Sequence, residues 1–193
     1  MRQDGSEAMN PYFETFKMRA EAVGAEVHRF AAKPEALDFI LHFLREQDIG
    51  GAPPSYAVWA NRDFLNDAEK QSLSSRLQGL RFDVTRAVAA EAKVGISHMD
   101  WAIANTGTLV QDAAAVEQRL VSTLPVIHIA VLREHTIVAD MPSVLRKIDP
   151  KRSGYLSMIT GPSRTADIER VLTIGVHGPE RVIIVVVDGI GGA

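Results

Sequence analysis

The sequence predicts an α/β protein: an open, mixed but mostly parallel sheet covered by helices. Two runs carry this reading. Val126-Ile127-His128-Ile129-Ala130-Val131 and Val182-Ile183-Ile184-Val185-Val186-Val187 are apolar on both faces. Such runs mark central strands covered on each side. The third observation is the alternation of strand-like and helix-like segments beyond Gly79, which favours a parallel sheet with crossover helices.

Taken in order, residues 1–8 are polar and read as a flexible arm. A single α/β domain is expected over residues 9–193. Between Met9 and Val23, Tyr12, Phe13, Phe16 and Ala20 recur at helical spacing. A second helix opens at Pro34, where proline suits the first turn. Leu37, Ile40, Leu41 and Leu44 give it one buried stripe. Gly50-Gly51-Ala52-Pro53-Pro54 stops it. A short strand follows over Ser55–Ala60, then a polar helix over Asp67–Gln78. Further strands are expected over Arg81–Val84, Val94–Ser97, Trp101–Asn105, Thr108–Gln111, Val126–Leu132, Thr136–Ala139, Gly154–Thr160 and Val182–Val187. Helices are expected over Thr85–Ala92, Ala113–Ser122, Pro142–Ile148 and Thr165–Ile174. Trp101 to Gln111 has the look of an antiparallel hairpin.

Composition excludes several chemistries. Of 193 residues, 46 % are hydrophobic and 23 % charged, and the formal net charge is −3. That balance argues against a general nucleic-acid or anionic-membrane surface. There is no cysteine. Disulfides, thiolate nucleophiles, zinc–thiolate sites and cysteine-held iron–sulfur clusters therefore cannot form within this chain. The start of the chain has no apolar signal core, and no apolar run is long enough to span a bilayer. A cytoplasmic protein is expected. The glycines of Asp188-Gly189-Ile190-Gly191-Gly192 precede no helix, so they form no dinucleotide fingerprint.

Two glycine turns concentrate the chemistry. Thr160-Gly161-Pro162-Ser163-Arg164-Thr165 sits where a strand gives way to the expected helix. Helix N-terminal N–H groups, the Ser163 and Thr165 hydroxyls and the Arg164 guanidinium suit a small carboxylate or phosphate. The same residues also admit a purely structural reading. Ser163 or Thr165 caps the helix, and Asp167 and Glu169 answer its dipole. Asn105-Thr106-Gly107-Thr108 is the second turn, where glycine and threonine serve either a hairpin or a ligand. If both turns lie at the carboxyl edge of the sheet, Thr106, Gly107, Thr108, Thr160, Gly161, Ser163, Arg164 and Thr165 line one pocket. Ser97, Asn105, His177 and Asp188 are secondary candidates. His98 and Asp100 read as a solvated surface pair, and His128 as a core histidine with one satisfied nitrogen. No residue is assigned a catalytic role, and no metal site is expected.

Several segments occur in one order: Gly95-Ile96-Ser97, Ala104-Asn105-Thr106-Gly107-Thr108, Leu124-Pro125-Val126-Ile127-His128-Ile129, the string from Ser157 through Thr160-Gly161-Pro162-Ser163-Arg164-Thr165-Ala166-Asp167-Ile168-Glu169, and Gly175-Val176-His177-Gly178-Pro179. This set resembles the LUD domain family, in its lactate utilization protein C (LutC/YkgG) branch. The resemblance is good over roughly the last hundred residues and weak over the first eighty. It implies a fold similar to the NagB/RpiA/CoA-transferase group. It implies an accessory subunit in the oxidation of L-lactate to pyruvate, binding a small anionic ligand. Its partners would be iron–sulfur and oxidoreductase subunits, with the clusters on those partners and no cofactor in this chain. Any activity would belong to the oxidoreductase complex. The wider fold group offers an alternative: a stand-alone CoA- or phosphate-dependent transferase, ligase or isomerase. A structural interaction module is a third reading. Many relatives carry a carboxylate immediately before Thr-Gly-Thr, where this chain has Asn105. That counts against a mechanism needing a carboxylate nucleophile there. The chain is also shorter at its N-terminus than many relatives, so a different assembly with partners is expected.

Overall fold

A computed structural model describes residues 9–53, 55–149, 151–166, 172–174 and 178–188. The expected arm over residues 1–8, and His177, lie outside them. In chain order the elements are α1 (Phe13–Ala22), β1 (Glu26–Phe30), α2 (Lys33–Glu46), β2 (Ala57–Ala60), α3 (Asp67–Arg76), β3 (Leu80–Arg81) and α4 (Arg86–Glu91). Then come β4 (Val94–Met99), β5 (Trp101–Ile103), β6 (Thr108–Asp112), α5 (Val116–Thr123), β7 (Ile127–Arg133), a single 3₁₀ turn (Glu134–Thr136) and β8 (Ile137–Val138). The last are α6 (Met141–Leu145), β9 (Leu156–Ile159), β10 (Arg164–Ala166), β11 (Leu172–Ile174) and β12 (Arg181–Val187).

The main sheet has six strands in the order β1-β12-β7-β4-β2-β3, and every neighbouring pair is parallel. A second sheet, β8-β5-β6-β9, is mixed. Side chains of a strand alternate between faces, and here both faces are covered. Ile183, Val185 and Val187 join Trp59, Ile96 and Ile129 beneath Leu37, Ile40, Leu41 and Leu44 of α2. Val182, Ile184 and Val186 join Met99 and Leu132 beneath Phe13, Phe16 and Ala20 of α1 and Leu109 of the second sheet. Tyr56, Val58 and Ala60 meet Ala89 of α4 and Val121 of α5. Burying such strands from both sides contributes about 25 cal/mol for each Å² of apolar surface removed from water.

Two expectations are corrected. β1 is not expected from the sequence, because Glu26-Val27-His28-Arg29-Phe30 is mostly polar and does not alternate. Among the described residues it pairs on one side only, with β12, and of its five residues only Val27 is buried, so it needs no apolar run. The helix expected over 165–174 is replaced by strands. Arg164↔Ile174, Thr165↔Thr173 and Ala166↔Leu172 are antiparallel partners. Leu172-Thr173-Ile174 is rich in β-branched residues, which fit a pleated ladder better than a helix. Asp167 and Glu169, assigned to that helix's first turn, lie outside the described residues, as does Gly175.

The connections set the geometry of any site. From β2 the chain steps outward to β3; from β4 it steps the opposite way, to β7. β2 and β4 are neighbours, so the loops leaving their carboxyl ends diverge. In open α/β sheets ligands bind at that kind of switch point.

Candidate functional site

The two glycine turns do come together. The Thr108 hydroxyl lies 2.8 Å from that of Thr106 and 2.8 Å from that of Thr160, making one chain of three hydroxyls. Thr108 opens β6, Thr160 follows β9, and these strands pair antiparallel. Gly107 and Gly161 have φ of +66° and +70°. Any side chain at Gly107 would meet the backbone of Arg19 and Ala20, and one at Gly161 would lie 2.5 Å from the Val23 carbonyl oxygen. Both turns are therefore pressed against the C-terminal end of α1.

That contact locates them at the amino edge of the main sheet, not the expected carboxyl edge. α1 ends where β1 begins, and the Ser163 N–H donates to the carbonyl of Pro179, just ahead of β12. The Arg164 guanidinium donates to the Val23 carbonyl at the end of α1. A helix C-terminus carries partial negative charge. Arg164 thus answers a dipole here, and Arg164–Ala166 form a strand where the anion reading placed a helix N-terminus. Asn105 is exposed beside Thr106, with its N–H on the Ala139 carbonyl. For Thr165 only the backbone pairing is described. Ser97 is fully buried, with its hydroxyl 2.9 Å from His128 Nε2 between β4 and β7. His128 is the core histidine expected, and burial pushes its imidazole down to about 4.

A second place gathers more chemistry, at the carboxyl ends of β2, β4 and β7. Arg62, just past β2, pairs with Asp100, just past β4. Asp100 also accepts the Asp112 N–H at 2.7 Å. Asp63 lies 3.4 Å from His98 Nδ1 and 3.5 Å from Arg133 Nη1. Contrary to the surface reading of the sequence, His98 is only 4 % exposed and is stacked on Phe64. Burial lowers its pKa to about 4 against the pull of Asp63. Both His98 ring nitrogens and Arg133 Nε are buried without a hydrogen-bond partner among the described residues. Gln111 ties the His98 carbonyl to Gln118, and Gln118 donates to the carbonyl of Ala60, so the strand ends are braced together. Further along the same edge, Arg29 pairs with both Glu134 and Asp188. Of the sequence candidates among the described residues, only Asp188 lies on this edge. Arg62, Asp63, His98 and Arg133 were missed as a set. Their one signal is position, each at or just beyond the end of a main-sheet strand. Among the described residues no group of three or more His, Asp or Glu is placed to hold a metal. No described helix is long and apolar enough to cross a membrane.

This chain belongs to the LUD domain family, whose model matches residues 13–187. It is 32 % identical over 140 residues to the lactate utilization protein C of Shouchella clausii, covering 70 % of this chain and 53 % of that protein. It is 32 % identical over 144 residues to the protein of the same name from Anoxybacillus flavithermus, covering 72 % and 64 %. To YkgG of Escherichia coli it is 31 % identical over 106 residues, covering 52 % and 46 %. The chain thus spans about half the length of most of the relatives it matches. Its fold resembles the crystal structure of a DUF162 family protein from Deinococcus radiodurans, with a TM-score of 0.62 at 23 % identity over 91 % of this chain and 96 % of that one.

Proposed function

We propose that this chain serves lactate utilization as an accessory subunit, working with iron–sulfur and oxidoreductase partners in the cytoplasm. Relatives named lactate utilization protein C support the process. The lack of cysteine supports the division of labour, because these residues cannot hold a cysteine-bound cluster. We further propose that the subunit binds a small carboxylate, and that it does so at the carboxyl edge rather than at the threonine turns.

One observation carries that placement. Arg133 Nε and the His98 ring nitrogens are buried without a hydrogen-bond partner among the described residues, beside the β2/β4 switch point, with the Asp63 carboxylate 3.4 Å from His98 Nδ1 and 3.5 Å from Arg133 Nη1. At the threonine turns the Arg164 guanidinium is already engaged by a helix C-terminus. Arginine suits a carboxylate because its planar fork offers directed, charge-assisted bonds. A neutral imidazole adds a donor without bringing a second charge to desolvate.

The role is tested by reconstitution. Lactate-dependent dye reduction by the iron–sulfur and oxidoreductase subunits should require this chain, and the chain alone should give none. Full dye reduction by the partners without it, or by the chain alone, would reject the role. The threonine turns retain a claim as the ligand site only if Arg164→Ala abolishes carboxylate binding.

A further inference from the structure

The carboxylate of Asp63 spans the gap between His98 and Arg133, one oxygen toward each, at 3.4 and 3.5 Å. Charge-assisted bonds normally close to about 2.7–2.9 Å. Asp63 therefore rests on both groups without forming a tight bond to either. Its side chain is 56 % exposed, while the imidazole it approaches is 4 % exposed. It stands on the loop between β2 and α3, two residues after Asn61, whose side chain takes the Leu65 N–H and donates to the Leu65 carbonyl. Asp63 itself takes no part in that loop's bracing. Buried donors left without partners cost free energy, and native proteins satisfy nearly all of them.

The geometry points to Asp63 as an internal stand-in for a ligand carboxylate. Resting on the carboxylate-binding reading above, we propose that a small 2-hydroxy or 2-oxo acid displaces Asp63 from this seat. One carboxylate oxygen would take Arg133 Nη1 and the other His98 Nδ1–H. The oxygen on the neighbouring carbon would reach a second buried donor, Arg133 Nε. Asp63 would turn to solvent, at little cost for a side chain already half exposed. The net charge of the seat is the same before and after, since one carboxylate replaces another. Asp100 and Arg62, the other charges acting on His98, stay locked to each other throughout.

Calorimetric titration of the full chain with L-lactate, pyruvate and acetate tests this. Asp63→Asn and Asp63→Ala remove the competitor, so lactate and pyruvate should bind at least about tenfold tighter, a gap of roughly 1.4 kcal/mol. Acetate, lacking the second oxygen, should bind more weakly in every form but gain by the same factor, because it displaces the same competitor. Asp112→Asn removes a carboxylate from the same edge that does not touch Arg133 and should give no such gain; an equal gain would mean that only bulk charge matters, and would overturn the proposal. Binding weakened by Asp63→Asn would also overturn it, because Asp63 would then be holding the ligand. In both cases the carboxylate-binding reading survives. If neither the wild-type chain nor Asp63→Ala binds any of the three acids at millimolar concentration, that reading falls and this inference with it. Thermal melts of each variant establish that it is folded.

Discussion

The Ser97 hydroxyl and His128 Nε2 meet at 2.9 Å inside the main sheet, both residues fully buried between β4 and β7. His128 Nδ1 has no hydrogen-bond partner among the described residues. The imidazole is thus held neutral by burial, with one hydroxyl as its hydrogen-bond partner among the described residues.

Acid should unfold this protein through that histidine and His98. Each imidazole is lowered from 6.5 to about 4 by burial. Between those values the unfolded chain binds more protons than the folded one, so stability is full above about pH 6.5 and is lost as pH falls toward 4. At about 1.4 kcal/mol per pKa unit, His128 alone accounts for up to roughly 3 kcal/mol. Urea midpoints between pH 7.5 and 4.5 should fall with this slope, and His128→Gln should flatten it. An unchanged slope in His128→Gln would deny the assignment.

Ser97→Ala leaves His128 with no partner on either nitrogen. It should cost about 1–3 kcal/mol, the range for an orphaned buried polar group. Chemical denaturation measures it directly. A loss under about 0.5 kcal/mol would mean that the contact contributes nothing.

Gly107→Ala and Gly161→Ala should each lower stability by more than about 1 kcal/mol. Positive φ strains any residue with a Cβ, and at both positions the new methyl would meet the backbone of α1 or its end. Hydrogen exchange should quicken in α1 (Phe13–Ala22) before it does in α2 (Lys33–Glu46), because α2 packs on the opposite face of the sheet.

Arg164→Ala removes the donor to the Val23 carbonyl. A modest destabilisation is expected, about 0.5–1.5 kcal/mol for one hydrogen bond. Thermal melts with and without 1 M salt should show part of that loss disappearing, since a helix-dipole contact is screened.

Elements with strong periodicity were legible in the sequence. The stripe Leu37, Ile40, Leu41 and Leu44 is buried in α2, and the two apolar runs became β7 and β12. β1 escaped because Glu26, His28 and Arg29 break its alternation, and its support comes from pairing with β12. The stretch after Gly161 deceived for a physical reason: Ser and Thr followed by Asp and Glu resemble a capped helix start, yet the ladder between β10 and β11 prevailed. The threonine turns were found because glycine turns are local features. The charged edge was not, because Arg62, His98 and Arg133 are far apart in sequence and only the strand order β7-β4-β2 brings them together.

The most direct measurement compares carboxylate binding in two arginine variants, Arg133→Gln and Arg164→Ala, each first shown to be folded. Titration with L-lactate or pyruvate should lose at least about tenfold in affinity at Arg133, as expected when a charged hydrogen-bonding partner worth about 1.5–3 kcal/mol is removed. Arg164→Ala should bind like the wild type. Binding kept in Arg133→Gln and lost in Arg164→Ala would contradict a site at the carboxyl edge and return it to the threonine turns.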